Sequence, residues 1–285
     1  MNKLETKLKI AFWGTSEFAV GVLEQLKDSP YQPNLIITAP DKPAGRKLKL
    51  TPPPVKIWAD KNKIFTQQPE KLNEDFLSLL KKSSWELFIV TAYGKIIPQT
   101  ILDLPQHGTL NVHPSLLPKL RGATPIHSAL LGEDKDTGIS ILLLDNQMDH
   151  GPIIAQEKFP LYQNSISELL TKSQLEKQLS HLGGQMLNQI LPAWFAQKII
   201  PQEQNHSQAT ITQKLTSADG LINLADDAVV NFKKIQAFDT WPRAHFFHQG
   251  KRIIIKKAHL EQNKLFIDKI IPEGGEEINY SDLIK

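Results

Sequence analysis

Short apolar runs alternate with amphipathic stretches in the first half of the chain, and this alternation constrains the fold more than any other feature. The runs are rich in β-branched residues and cover 8–13, 34–39, 86–93, 109–112, 138–144 and 153–159. After the first run, Ser16 can cap a helix that carries Phe18, Val22, Leu23 and Leu26 on one side. Strands joined by crossover helices form a mostly parallel sheet that is covered on both faces. The pattern therefore predicts an α/β domain, with 153–159 as an edge strand.

The second half of the chain has a different pattern. A helical pattern covers 165–197, with Gly183 and Gly184 as a weak point, and a polar segment follows at 202–208. After that segment we predict one short helix and several strands, at 225–238, 244–247, 252–257 and 265–271. The chain is thus predicted to have a catalytic domain at 1–201, a linker at 202–208 and a small β-rich domain, a partly open barrel, at 209–285.

Composition removes several classes of function. The chain has 285 residues, no cysteine, and 33 Lys and Arg against 30 Asp and Glu, for a net charge of +3. The absence of cysteine excludes disulfides, thiolate metal sites and a cysteine nucleophile. No apolar run approaches the roughly 18 residues that span a bilayer, and the apolar start at 10–13 is too short for a signal peptide. We predict a cytoplasmic protein that does not associate with membranes.

Polar residues end two of the predicted strands. Asn111 and His113 lie two residues apart, so they share a face if the strand continues that far, and Pro114 then ends the ladder. Asp149 follows the next predicted strand, in a loop whose Gly151 can take a left-handed conformation. In an open α/β sheet, ligands bind beyond the carboxyl ends of the strands. These residues are therefore candidates for a functional site.

A carboxamide, an imidazole and a carboxylate can run an acyl transfer without a nucleophilic side chain. Asn111 can donate to an oxygen that becomes negative, His113 can supply a proton or a positive charge, and Asp149 can hold the imidazole and favour its charged form. The attacking group must then come from the substrate. Structural roles are also open, since Asn111 could cap a turn and Asp149 could form an Asx turn with Gly151. A metal site of His113, Asp149 and His150 is a further alternative.

Several motifs lie in a fixed order along the chain. The main ones are 111–126 (NVHPSLLPKLRGATPI), Thr137 with Gly138, and 149–153 (DHGPI). Others are 14–19, the loop 40–46 that continues to 50–56, 92–94, 209–210, 214–215, 235–238 and 241–242. This set, which spans almost the whole chain, resembles the 10-formyltetrahydrofolate-dependent formyltransferases. The resemblance implies a Rossmann-like formyltransferase domain with a mostly parallel sheet, followed by a small, shortened OB-like domain.

The resemblance also implies roles for particular residues. Asn111, His113 and Asp149 match the family's catalytic residues. The family's contact with 10-formyltetrahydrofolate is matched by Ser115, Leu116, Leu117 and Pro118. The second substrate it implies is the free α-amine of methionine esterified to initiator tRNA, on a monomeric enzyme without a metal. Ser115 is interpreted as a turn residue with a backbone contact to folate rather than as a nucleophile.

A basic cluster follows the second predicted strand. Residues 41–63 contain seven Lys and Arg against two Asp, and 42–56 is longer than an ordinary strand-to-helix turn. A charge run of this kind can be an ordinary solvated surface. The resemblance instead implies that the loop grips the acceptor arm of tRNA through Lys42, Arg46, Lys47 and Lys49. The second domain adds eight basic residues against four acidic ones over 209–260, which suits binding to a nucleic-acid backbone.

Three departures from the family pattern bear on the substrate. The basic loop at 46–50 lacks the family's glycine, His150 replaces the usual threonine, and the strands on either side of 260–265 are joined almost directly. Two alternatives therefore stay open. One is a formyl-folate enzyme that acts on a sugar-nucleotide or other small amine and has no need of the basic loop. The other is an RNA-binding protein on a retired enzyme fold, without turnover.

Overall fold

The structure, a computed structural model, describes residues 8–45 and 48–283. Its strands are β1 (Ile10–Gly14), β2 (Leu35–Ile37), β3 (Lys42–Ala44), β4 (Lys49–Thr51), β5 (Phe65–Gln67), β6 (Leu87–Thr91), β7 (Thr109–His113), β8 (Asp136–Leu143), β9 (Ile153–Pro160), β10 (His245–His248), β11 (Lys251–Glu261), β12 (Lys264–Pro272) and β13 (Ile278–Asn279). Its α-helices are α1 (Glu17–Leu26), α2 (Pro54–Lys61), α3 (Glu74–Leu80), α4 (Gln99–Leu102), α5 (Pro125–Leu131), α6 (Lys172–Phe195), α7 (Ala228–Ala237) and α8 (Tyr280–Leu283).

Seven strands form the main sheet, in the order β5-β2-β1-β6-β7-β8-β9. β1 pairs in parallel with β2 and β6, β2 with β5, and β6 with β7. β8 then pairs antiparallel with β7. The predicted mostly parallel α/β sheet is confirmed. The strand order reverses beside β1, and such a switch point opens a crevice at the carboxyl ends of the strands.

Apolar side chains of the central strands form the core. Ala11 and Trp13 of β1 belong to a buried cluster with Phe76 and Leu80 of α3 and Ile101 of α4. α1 buries its own apolar stripe, which consists of Phe18, Ala19, Val22, Leu23 and Leu26. Removing these surfaces from water is the dominant favourable term in folding. β7, the strand that ends in the candidate site residues, pairs with β6 and β8 inside this sheet.

α6 packs tightly against the sheet at Gly183 and against α1 at Gly184. A Cβ on Gly183 would lie 2.6 Å from a methyl of Val112, and a Cβ on Gly184 would lie 2.5 Å from the Gln25 side chain. The helix runs through both residues without a break. The expected weak point is thus a close contact that only glycine allows. The helix also starts later than predicted, at Lys172, because a short 3₁₀ turn precedes it at Ile166–Glu168.

The start of α1 differs from its prediction in one detail. Ser16 occupies the N-cap position, but its hydroxyl makes no capping hydrogen bond. The neighbouring Thr15 hydroxyl instead donates to the carbonyl of Tyr93 at 3.0 Å, which ties the turn after β1 to the turn after β6.

No helix in the described part of the chain is both long and apolar enough to cross a membrane.

The second sheet is antiparallel, in the order β10-β11-β12-β13. β11 and β12 are joined by Gln262 and Asn263 alone, which have positive φ angles of 48° and 60°. Two left-handed residues suit the twist of a two-residue hairpin. The direct connection between these strands and the small β-rich domain are both confirmed.

Contacts within the chain group its described residues into two compact units. Among these residues, the first unit comprises 8–45, 48–121, Ile139–Glu157 and Lys177–Ala209, and the second comprises Gly122–Gly138, Lys158–Glu176 and 210–283. The second unit therefore includes α5 and other residues that precede the predicted linker. The linear boundaries 1–201, 202–208 and 209–285 stay a prediction.

Candidate active site

Asn111 and His113 lie on one face of β7, at its carboxyl end. They are 8% and 4% exposed, and the strand ends at His113 as the following proline predicts. Val112 between them points to the opposite face, where it meets Gly183 of α6. The alternation of the strand therefore sends two polar side chains to one side and anchors the strand on the other.

Asp149 lies in the loop between β8 and β9 and is 9% exposed. Its backbone is left-handed, with φ of 51°. Aspartate tolerates this conformation better than most residues, but it is still strained, and strained backbone clusters at functional sites. The loop therefore holds its carboxylate in a defined place.

The three side chains converge on one oxygen. Nδ2 of Asn111 donates to Oδ1 of Asp149 at 3.3 Å, and Nδ1 of His113 lies 3.5 Å from the same oxygen. The sheet and the loop thus bring together the amide, imidazole and carboxylate that the sequence singled out. The negative oxygen at this point is that of Asp149, and the Asn111 amide keeps a second N–H for an oxygen of a bound substrate.

The His113 ring lies between two oxygen acceptors. Its Nε2 is 3.1 Å from the carbonyl oxygen of Leu120, and its Nδ1 faces Asp149. A neutral imidazole has one N–H and can donate to only one of these oxygens, whereas an imidazolium can donate to both. Each ring nitrogen of His113 therefore has an oxygen as its neighbour.

The expectation that Gly151 is left-handed is wrong. The positive φ in this loop belongs to Asp149, and Gly151 is needed for a different reason. A Cβ on Gly151 would lie 1.9 Å from the carbonyl oxygen of Leu143, a distance that no side chain can adopt. The glycine lets the loop return closely along the end of β8.

The segment 115–118 is held from two strands. The hydroxyl of Ser140 in β8 donates to the Ser115 carbonyl at 2.7 Å and accepts from the Leu117 amide at 3.0 Å. The Gln156 amide of β9 donates to the Leu117 carbonyl at 2.9 Å. The Ser115 hydroxyl donates to the carbonyl of Lys119 at 2.7 Å, which is the bond of a turn residue. The Leu117–Pro118 peptide is cis.

A cavity of about 430 Å³ adjoins this segment. Its lining consists of Leu117, Pro118, Ile153, Ile154, Ala155, Gln156, Ile200, Gln202, Glu203, Gln204 and Asn205. Asn111, His113 and Asp149 are absent from that lining. The cavity therefore lies beside the place where those three side chains meet and does not include it.

Tyr93 follows β6 at the same carboxyl edge of the sheet. Its ring packs edge-on against Trp13, with centroids 5.3 Å apart, and its hydroxyl is buried without a hydrogen-bond partner among the described residues. Burial raises the pKa of Tyr93 to about 12. The phenol therefore stays protonated at neutral pH.

Two residues of the site escaped the sequence reasoning. Gln204, inside the predicted linker, donates from Nε2 to the carbonyls of Asp149 and Gly151, at 2.8 Å each. Arg121 is buried and donates from Nη2 to Oε1 of Gln204 at 2.6 Å. Arg121 stood within a motif that the sequence singled out, but Gln204 carried no local signal.

His150 has its own partners. Its Nδ1 lies 2.7 Å from Oδ2 of Asp145, and its ring stacks on that of His206 with centroids 4.0 Å apart. The structure shows no cluster of three or more His, Asp or Glu that could hold a metal ion within residues 8–45 and 48–283.

Two of the predicted tRNA contacts, Lys42 and Lys49, lie on a two-stranded hairpin after β2. β3 and β4 pair antiparallel, with Lys42 opposite Thr51, and Lys42 and Lys49 are both exposed. Leu48 and Leu50 of the same hairpin are exposed as well, at 72% and 62%. Arg46 and Lys47 lie outside the described residues.

The fold and the converging trio define a class: an α/β enzyme that transfers an acyl or one-carbon group to a nucleophile supplied by the substrate. A family model described as "Formyl transferase" matches residues 8–191, and one described as "Formyl transferase, C-terminal domain" matches residues 214–278. The chain belongs to the formyl transferase family.

Curated relatives narrow the family further. A methionyl-tRNA formyltransferase from Chloroflexus aurantiacus is 39% identical over 252 residues, which cover 88% of this chain and 80% of the relative. A second methionyl-tRNA formyltransferase, from Dictyoglomus thermophilum, is 38% identical over 271 residues, which cover 94% of this chain and 84% of the relative. Among the formyl transferases, the chain is therefore grouped with these tRNA-directed members.

Solved structures share the fold. A methionyl-tRNA formyltransferase from Clostridium thermocellum superposes with a TM-score of 0.60 at 18% identity, over 95% of this chain and 99% of that one. A sugar 3N-formyl transferase, solved with dTDP and 5-N-formyl-THF, superposes with a TM-score of 0.65 at 20% identity, over 93% of each chain. At these identities the likeness concerns the fold alone.

Proposed function

We propose that the chain transfers the formyl group of 10-formyltetrahydrofolate to the free α-amine of methionyl initiator tRNA, giving N-formylmethionyl-tRNA and tetrahydrofolate for translation initiation. The observation that carries the proposal is the convergence of Asn111 and His113 on Asp149 in a member of the formyl transferase family. Relatives named methionyl-tRNA formyltransferase support methionyl-tRNA as the acceptor of the formyl group. We infer that it acts as a monomer in the cytoplasm.

The reaction begins when the neutral α-amine attacks the formyl carbon. A new C–N bond forms, and the formyl oxygen becomes negative in a tetrahedral intermediate. In the structure, Nδ2 of Asn111 and Nδ1 of His113 both face Oδ1 of Asp149. The proposal places the oxyanion next to these groups, where it can accept from the second N–H of the Asn111 amide and face the His113 ring, which carries a charge when it is an imidazolium.

The proton then moves from the former amine to the leaving group. The attacking nitrogen is positive in the intermediate, and the Asp149 carboxylate accepts its proton directly or through a water. The bond between the formyl carbon and N10 of the folate breaks, and N10 receives the proton. The same carboxylate lies against the His113 ring, so it also supports the imidazolium that stabilises the oxyanion.

Ser115 to Pro118 are proposed to contact the formyl-folate mainly through backbone groups. Ser140 and Gln156 hold this segment rigidly, and the Ser115 hydroxyl is occupied by the Lys119 carbonyl. A segment held in this way can offer its remaining backbone groups to a planar heterocycle without rearranging. Ser115 is accordingly a turn residue and not a nucleophile in this proposal.

Lys42, Arg46, Lys47 and Lys49 are proposed to contact the phosphates of the acceptor arm. The exposure of Lys42 and Lys49 on the β3–β4 hairpin supports this role. The hairpin follows β2, so it lies toward the carboxyl edge of the same sheet that carries the trio. Phosphate contacts there would orient the amine toward the formyl carbon.

A parallel formylation assay tests the proposal. The protein is incubated with 10-formyltetrahydrofolate and either methionyl initiator tRNA or an amino-sugar nucleotide, and the formylated amine is measured. We expect turnover with the charged tRNA and none with the amino sugar. Turnover confined to the amino sugar would support the small-amine alternative, and no turnover with either would support an RNA-binding protein on a retired fold.

A further inference from the structure

One side chain holds the carbonyl groups of Asp149 and Gly151, in the loop between β8 and β9. Nε2 of Gln204 donates to the carbonyl oxygens of Asp149 and Gly151, at 2.8 Å each, and Gln204 is 5% exposed. Both N–H groups of a primary amide are thereby used. The contact links the backbone that presents the candidate carboxylate to a segment more than fifty residues later in the chain.

The other end of the same amide is held by a buried guanidinium. Oε1 of Gln204 accepts from Nε and Nη2 of Arg121, at 3.2 and 2.6 Å, and Nη2 also donates to Nδ1 of His206 at 2.9 Å. Arg121 is 8% exposed. A charged donor on the carbonyl oxygen polarises the amide, so its N–H groups become stronger donors. The amide has no freedom to turn away from the loop.

The Asp149 turn needs such a restraint. Its left-handed backbone would relax if the surrounding contacts did not hold it. Oδ1 of Asp149 meets both Asn111 and His113 at 3.3 and 3.5 Å, so a small movement of the backbone would lengthen both contacts together. Misplacement of a catalytic group by about 1 Å can cost on the order of 100-fold in rate.

We propose that Gln204, locked by Arg121, is a positioning residue that holds the Asp149 carboxylate against Asn111 and His113. This inference rests on the catalytic role proposed above for Asp149. Gln204 acts through the backbone of residues 149 and 151 and does not touch the reacting atoms. Its expected contribution is to kcat, with little effect on the affinity for either substrate.

A double-mutant cycle tests the proposal. Gln204→Glu keeps the shape and an acceptor for Arg121, but it replaces the donor to the two carbonyls with a carboxylate oxygen. Formylation of methionyl initiator tRNA is measured for the parent, Gln204→Glu, Asp149→Asn and the double variant. We expect Gln204→Glu to lower kcat by about 10-fold or more in the parent. In the Asp149→Asn background the same change should cost less than about 2-fold, because the group it positions is already disabled.

The results distinguish the positioning role of Gln204 from the catalytic role of Asp149. An equal fold-loss in both backgrounds, or no loss in the parent, would overturn the positioning role of Gln204 while leaving the proposed catalysis intact. If Asp149→Asn itself kept the parent kcat, the catalytic role of Asp149 would fail, and the positioning role would fall with it.

Two further measurements test whether Gln204→Glu loses activity only because it is unfolded. The affinity for 10-formyltetrahydrofolate and the thermal midpoint of Gln204→Glu are compared with those of Gln208→Glu, an exposed residue on the same segment with the same charge change. The Gln208 variant should match the parent in kcat. If Gln204→Glu does not fold, Gln204→Asn takes its place in the cycle, since its shorter amide cannot reach both carbonyls, and the same results decide.

Discussion

At the scale of single residues, the site depends on backbone geometry as much as on side-chain chemistry. Asp149 is left-handed, and Gly151 passes so close to the Leu143 carbonyl that no Cβ fits. Asn111 and His113 need no such arrangement, because the alternation of β7 alone puts them on one face. The strand therefore places Asn111 and His113 on one face by its regular geometry, and the unusual backbone of the loop places the Asp149 carboxylate next to them.

Removing either donor should slow the reaction without weakening substrate binding. We expect Asn111→Ala and His113→Ala each to lower kcat by about 100-fold or more, because each removes a group that stabilises the oxyanion. The affinity for charged tRNA should stay near that of the parent. Single-turnover kinetics would measure the effect, with His181→Ala on α6 as the control. Near-normal turnover in both site variants would remove them from the catalytic machinery.

A methyl group at Gly151 should distort the loop. Gly151→Ala would place a Cβ 1.9 Å from the Leu143 carbonyl oxygen, so the loop or the end of β8 must shift. We expect a loss of roughly 1–3 kcal/mol in the free energy of unfolding, together with reduced kcat. Gly275→Ala is the control, because its Cβ would meet its nearest atom at an ordinary 3.4 Å. Urea unfolding of both variants checks this, and equal stabilities would contradict it.

His127 should make the stability of the second unit depend on pH. Burial and then the charge of Lys172 lower the pKa of His127 to about 4 from 6.5, with Asp239 acting in the opposite sense. Between those values the unfolded chain binds more protons than the folded one. The stability due to the neutral ring is therefore complete above pH 6.5 and is lost as the pH falls toward 4.

Replacing the imidazole by a ring that cannot titrate should remove this dependence. His127→Phe should lose less stability than the parent between pH 7 and pH 5, by on the order of 1 kcal/mol. The ring already packs near Phe238, with centroids 6.2 Å apart, so an aromatic replacement keeps the contact. Urea unfolding at the two pH values measures the difference. Identical pH dependence in the two proteins would show that His127 does not titrate with unfolding.

At the scale of elements, the β3–β4 hairpin is the feature whose role is most open. Its two strands pair antiparallel, and the exposed Leu48 and Leu50 lie beside the exposed Lys42 and Lys49. Exposed charge by itself does not establish a nucleic-acid surface. Salt dependence can do so, because each neutralised phosphate releases counterions.

Removing three of the basic residues that are predicted to contact tRNA should weaken binding to charged tRNA alone. We expect the triple variant Arg46→Ala, Lys47→Ala, Lys49→Ala to bind tRNA less tightly. The logarithm of its binding constant should also depend less steeply on the logarithm of the salt concentration, by an amount that corresponds to up to about three phosphate contacts. Folate affinity should be unchanged. The matched control removes the same charge from exposed positions elsewhere, through Lys71→Ala, Lys81→Ala and Lys82→Ala. If both triples bound tRNA alike, the hairpin would be an ordinary surface.

At the scale of the whole molecule, the compact units do not follow the chain in two consecutive blocks. α5 belongs to the second unit, where it packs against α7. Nζ of Lys233 in α7 donates to the carbonyl of Gly132 at the end of α5 at 2.5 Å. Within that unit, residues from before and after the predicted linker form one packed body.

A fragment that stops after residue 209 should therefore not fold as a normal domain. It keeps α5 but lacks α7, so Ile126, Ala129 and Leu130, which are buried in the whole chain, lose part of their cover. We expect the fragment to bind a hydrophobic dye and to lack the sharp thermal transition of the full chain. A fragment with the same cooperative transition as the full chain would instead support the linear boundary at 201.

Local patterns were enough for much of the architecture. The alternation of apolar runs and amphipathic stretches predicted the mostly parallel sheet, and the spacing of two predicted that Asn111 and His113 share a face. These features depend on short-range periodicity, which the sequence carries directly. The presence of Asp149 in the site was also foreseen, because a polar residue after a strand lies at the edge where ligands bind.

Only the tertiary structure decided which distant segments complete the site. Gln204 looked like part of a polar linker, since no local pattern reveals that its amide reaches the carbonyls of residues 149 and 151. The same holds for the left-handed backbone of Asp149 and for Gly183, which allows α6 to approach Val112. Each depends on how closely two remote stretches of backbone approach, and that distance is set by the packing of the whole domain rather than by neighbours in sequence.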